Sequence, residues 1–143
     1  MAAIERTASG TWQGDLKTGR GTIDATSGVL RDTPFSYATR FENARGTNPE
    51  ELIAAAHAAC FSMALSLFLG EAGMTAESIE TTATVSLDQV EGGFAITSSH
   101  LQTTVKIPNA DAAAFQKAVE TAKSGCPVSK LLNATITLDA KLA

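Results

Sequence analysis

The stretch AAAHAACFSMALSLFLG, Ala54 to Gly70, decides how the rest of the chain must be built. It is almost wholly apolar and so needs cover, yet it carries His57 and Cys60 three positions apart. Just upstream, Asn48-Pro49-Glu50-Glu51 is a strong helix start. Asparagine suits the N-cap, proline the first helical position, and two carboxylates the positive end of the helix dipole. Gly70 or Gly73 supplies the stop. Leu52, Ile53, Phe61, Met63, Leu65, Leu67 and Phe68 go most of the way round this helix, so a single sheet covers one face only. Covering the rest takes a second helix, another chain, or both. The run approaches membrane-spanning length at about 18 residues. Its alanines, His57, Ser62 and Ser66, and the flanking Glu50, Glu51 and Glu71, favour instead a buried helix of a soluble protein.

The flanking sequence supplies strands. Thr11–Asp15 and Thr22–Ala25, either side of the turn-prone Lys17-Thr18-Gly19-Arg20-Gly21, read as a hairpin, and Phe35–Phe41 reads as a third strand. Downstream, Ser78–Leu87 and Phe94–Ile107 are β-branched strands around a Gly92-Gly93 turn. Asp111–Lys123 has helical spacing at Phe115, Ala118, Val119 and Ala122. Cys126-Pro127 opens a short helix, and Ala134–Leu138 is a last strand. The expected architecture is one α+β domain over residues 1–143, an antiparallel sheet packed on a long, very apolar central helix. A chain of 143 residues is long enough to bury a real core.

Composition narrows the function. A net charge of −4 without clustered lysine or arginine argues against nucleic acid and anionic membrane surfaces. The opening MAAIERTASG lacks the apolar core of a signal peptide. The two cysteines, Cys60 and Cys126, with two histidines do not supply the short-range ligand spacing of a zinc site, so neither metal nor cofactor is expected. Reducing cytoplasm is the default setting, where two thiols are either structural or a redox couple.

The thiols are then the candidates for chemistry. Cys60 on an apolar helix is either a small buried hydrophobe or a nucleophile, and His57, one turn earlier, is either its base or a satisfied core histidine. Cys126 in Ser-Gly-Cys-Pro-Val-Ser sits where unpaired backbone N–H groups favour a thiolate, or is a buried cap. No G-x-S-x-G elbow, phosphate loop or dinucleotide fingerprint is present. Ser98-Ser99-His100 falls on a strand with no evident partner, and Trp12 is read as core or as a cap on the sheet.

Thr39-Arg40-Phe41-Glu42, Gly46-Thr47-Asn48-Pro49-Glu50-Glu51-Leu52, the run Ala54 to Leu65 and Gly125-Cys126-Pro127-Val128-Ser129 together closely resemble the OsmC/Ohr family over essentially the full length. The His-Ala-Ala-Cys form of the helix motif and Trp12-Gln13-Gly14-Asp15 resemble its OsmC branch. The resemblance implies an intertwined homodimer with sites at the subunit interface and a thiol-dependent peroxidase. It further implies Cys60 as the peroxidatic cysteine, Cys126 as the resolving one, Arg40 holding the thiolate and Glu50 orienting Arg40. An external dithiol, lipoylated or thioredoxin-type, would reset the pair.

Helix geometry adds one constraint. Glu50 and Cys60 are ten residues apart on one helix, hence about 15 Å along its axis. Glu50 and Cys60 of one site are therefore expected from different subunits, with two central helices packed antiparallel. Phe61, Met63, Phe35 and Phe94 are candidates for an apolar wall favouring organic hydroperoxides over hydrogen peroxide. Two rivals share the fold: a dimeric binding protein for a small apolar ligand with inert cysteines, and a Cys60–His57 acyl-transfer enzyme.

Overall fold

The computed structural model describes residues 1–143. They group into two compact units, Met1–Leu52 and Ile53–Ala143.

In the first unit, β1 (Ala8–Gln13), β2 (Arg20–Ala25) and β3 (Thr33–Phe35) form an antiparallel sheet in the order β1-β2-β3. The β1–β2 connection is tied by Asp15, whose carboxylate accepts from the Thr18 backbone N–H and hydroxyl, both at 2.7 Å. Those two bonds hold the Asp15 carboxyl below its ordinary pKa. The expected strand over Phe35–Phe41 ends at Phe35. Residues Tyr37–Phe41 are instead a short helix, α1, because Ser36 and Thr39 form a reciprocal capping box. The Thr39 hydroxyl takes the place of the usual Glu or Gln at the third position, so an alternating apolar pattern concealed a helix.

The long helix α2 (Pro49–Glu71) is continuous. Asn48 caps it as expected, its Oδ1 accepting from the Glu51 N–H at 2.8 Å. At the other end Gly73 takes a positive φ of 77°. Bonds from the Met74 N–H to the Leu69 carbonyl and from the Gly73 N–H to the Gly70 carbonyl close a Schellman cap.

In the second unit, β4 (Ser78–Val90) and β5 (Gly93–Lys106) pair antiparallel, with a register shift at Ser86/Leu87. Helices α3 (Ala112–Gly125) and α4 (Pro127–Leu131) lead to β6 (Thr135–Leu142), giving the order β4-β5-β6. The expected antiparallel character holds for β1-β2-β3 and β4-β5; β6 differs, running parallel to β5. The reason is topological: the chain crosses through α3 and α4 before returning, and such crossovers deliver parallel neighbours.

One stripe of α2 at every fourth residue, His57, Phe61, Leu65 and Leu69, is completely buried. It packs with Leu101 and Val105 of β5 and with Phe115, Ala118, Val119 and Ala122 of α3. These four α3 positions are the ones the helical spacing picks out. Elsewhere on α2 large apolar side chains are uncovered: Met63 is 76% and Leu67 58% exposed. By length and composition α2 could cross a membrane, yet its buried stripe lies in a sheet-and-helix core.

Candidate active site

Two clusters carry the chemistry-bearing side chains, one in each unit. In the first, α1 presents Arg40, whose Nε donates to Glu50 Oε1 at 2.8 Å. The Asn48 side-chain amide bonds the Thr39 carbonyl at 2.9 Å, tying α1 to the start of α2. Glu50 is 8% exposed, and its second carboxylate oxygen is buried with no hydrogen-bond partner. A buried carboxylate oxygen left unpaired is costly.

Arg40 is the single charged residue lining a cleft of about 290 Å³, whose apolar walls are Trp12, Leu16, Phe35, Tyr37 and Phe41. The wall depends on Gly21, cross-strand neighbour of both Trp12 and Phe35. A Cβ there would meet the Phe35 ring at 2.4 Å. Its absence lets the two aromatic rings approach to 5.5 Å. Of the four residues expected in an apolar wall, Phe35 is in this cleft. Phe61 is fully buried in the core and unavailable to any ligand, while Met63 and Phe94 are exposed. Trp12, Leu16, Tyr37 and Phe41 were not singled out as wall residues; the glycine set between aromatic cross-strand positions was the signal available.

In the second unit, Cys60 of α2 meets Cys126 at the junction of α3 and α4. Both are free thiols, Cys60 partly buried and Cys126 fully. Burial, then the side-chain hydrogen bond with Cys126, push the Cys60 pKa up, and the backbone N–H of Val128 acts in the opposite direction. Cys126 ends α3, its N–H bonding the Ala122 carbonyl, and is also the residue from which α4 starts, with Pro127 at the first helical position.

His57 is the residue the structure reassigns. Its Nδ1 lies 2.6 Å from Ser99 Oγ and its Nε2 2.8 Å from Ser129 Oγ. Burial lowers its pKa, so the ring is neutral. With both nitrogens engaged, neither is free to take the Cys60 proton, which removes the support for the acyl-transfer rival. His100, expected to lack a partner, bonds Thr137 and Asp139 on the neighbouring strand.

A helix thiol set against a second thiol is an arrangement capable of thiol redox chemistry. Residues 42–141 match the family model described as OsmC-like protein, and the chain belongs to that family. It is 57% identical over 139 residues to peroxiredoxin OsmC of Escherichia coli, covering 97% of each chain. With the organic hydroperoxide resistance protein OhrB of Bacillus subtilis the identity is 32% over 123 residues, 85% of this chain and 88% of that one. The crystal structure of OhrB superposes with a TM-score of 0.67, covering 96% of this chain and 98% of the other. An organic hydroperoxide resistance protein from Elizabethkingia anophelis, 27% identical, does so at 0.70, covering 100% and 99%. The higher identity to the OsmC relative agrees with the branch indicated by the helix motif.

Proposed function

We propose that this protein is a thiol-dependent peroxidase that reduces organic hydroperoxides, and hydrogen peroxide less well, in the cytoplasm. The observation that carries the reading is the interaction of the Cys60 thiol with that of Cys126. The Cys60 thiolate attacks the terminal oxygen of the hydroperoxide; the O–O bond breaks, the alcohol leaves with a proton, and a sulfenic acid remains. The Cys126 thiol then displaces water from that sulfenic acid, forming the disulfide. A disulfide closes at about 2.05 Å, so thiols that already interact have a limited approach to make. An external dithiol, lipoylated or thioredoxin-type, returns both cysteines to thiols.

Arg40, held by Glu50, is assigned to the Cys60 of a partner subunit, with residues 1–143 working as one functional domain in a homodimer. Three features support this. The rise along continuous α2 keeps Glu50 and Cys60 about 15 Å apart in one chain. The unpaired Glu50 oxygen asks for a further donor, and Met63 and Leu67 ask for apolar cover. A guanidinium stays charged and its fork meets a carboxylate and a thiolate together, which an ammonium does less well. The apolar cleft around Arg40 suits an organic peroxide.

The test is intact mass under denaturing, non-reducing conditions after one equivalent of cumene hydroperoxide. Loss of about two hydrogens in the parent, abolished in Cys60→Ser and in Cys126→Ser, is the expected result. An unchanged mass would leave the cysteines structural and the same cleft a binding site for a small apolar ligand.

A further inference from the structure

The peroxidase reading gives His57 no chemical step, yet it is fully buried and makes two short polar contacts. Its position supplies a reason. Residues three apart share a helix face, so His57 lies beside Cys60 on α2, and Ser129 lies three residues beyond Cys126. The two pairs form parallel rungs between α2 and α4: thiol to thiol, and imidazole to hydroxyl.

The second rung matters because α4 has little else to hold it. It has five residues, none buried, and no side-chain cap. A helix that short does not persist alone. Two of its backbone bonds, Lys130 N–H to Cys126 carbonyl and Leu132 N–H to Val128 carbonyl, are internal, and the Val128 N–H reaches only Cys60 itself. Beside it lies an open cleft of about 590 Å³ lined by Glu120, Lys123, Ser129 and Ile136, so that side of α4 is not packed. On the other side of the ring, Ser99 belongs to β5, the central strand of its sheet, so Nδ1 is fixed and Nε2 is presented to α4.

We propose that the His57–Ser129 hydrogen bond is the positioning element that keeps Cys126 against Cys60, and so sets the partition of the sulfenic acid between disulfide and sulfinic acid. The competition is between two balanced steps. In one, the Cys126 thiol condenses with Cys60 sulfenic acid and water leaves. In the other, a second hydroperoxide donates its terminal oxygen to the same sulfur, giving the sulfinic acid and a second alcohol. Releasing α4 slows the first step and leaves the second untouched.

This inference rests on the peroxidase reading, and the experiment separates the two. Parent, Ser129→Ala and Ser129→Thr are titrated with cumene hydroperoxide and quenched at graded times. Intact mass then gives the rates of sulfenic acid formation and of disulfide formation. Loss of one such hydrogen bond predicts sulfinic acid at about three- to tenfold lower peroxide in Ser129→Ala, with only disulfide formation slowed. Ser129→Thr, which keeps the hydroxyl, restores the parent partition. An identical partition in parent and Ser129→Ala overturns the inference while the peroxidase stands, as does equal slowing of both phases, the mark of a general structural defect. A parent that forms no disulfide overturns both.

Discussion

Replacing Arg40 with glutamine isolates the electrostatic part of the proposed site. Within one chain the surroundings of Cys60 oppose ionisation: burial and the Cys126 hydrogen bond raise its pKa, and only the Val128 N–H lowers it. A thiol so placed reacts at neutral pH only if a cation offsets the lost hydration. An opposite charge within about 4–6 Å lowers a pKa by about 1–3 units, so Arg40→Gln should raise the Cys60 pKa by that amount. Each unit removes about nine-tenths of the thiolate present at pH 7, while the remaining thiolate becomes about threefold more nucleophilic. The net loss is about threefold per unit, or about 3- to 30-fold in all. The assay is alkylation by iodoacetamide as a function of pH, with the Cys60 peptide resolved by mass. The midpoint should move up, and Glu50→Gln, which leaves the cation but removes its anchor, should move it less. An unchanged or lowered midpoint in Arg40→Gln would refute the assignment of Arg40 to the thiolate.

Two further outcomes follow from residues elsewhere. Leu67→Glu places a charge on the uncovered face of α2. It should shift the proposed dimer to monomer in sedimentation at micromolar concentration, since covering one such side chain contributes about 1.5–3 kcal/mol. The buried, neutral His57 makes stability depend on pH. Its folded pKa lies below its ordinary value of 6.5, so as pH falls below 6.5 the unfolded chain binds a proton that the folded chain does not. Stability is therefore lost downward from 6.5 to the lowered folded pKa, by up to about 1.4 kcal/mol per pH unit. Urea midpoints at pH 7 and pH 5 should show a larger fall for the parent than for His57→Gln.

What was legible in the sequence was largely what is local. Asn48-Pro49-Glu50-Glu51 and Gly73 bracket α2 because capping is decided within a turn, and α3 was readable because its buried residues recur at helical spacing. α1 was missed for a local reason too: a threonine-based capping box under an alternating apolar pattern. The rest was not local. The circumference of α2 is apolar on every side, so its sequence does not say that Phe61 faces the core and Met63 does not. The partners of His57 lie 42 and 72 residues away, on a strand and a helix that only the fold brings together. The parallel placement of β6 depends on the crossover before it, and no residue within the strand encodes it.

The unbroken run of α2 from Pro49 to Glu71 also has a genetic consequence. If each site takes its thiol from one chain and its arginine from the other, a defective allele is not simply null. A chain lacking Cys60 still lends a sound Arg40, and a chain lacking Arg40 still lends a sound Cys60. Two silent alleles expressed together would rescue one another, with about a quarter of all sites restored under random pairing of twofold-symmetric subunits. An allele lacking both residues would contribute nothing to such a pairing and would disable the sites of every healthy chain it joined. Selection on this helix would then act on pairs of chains.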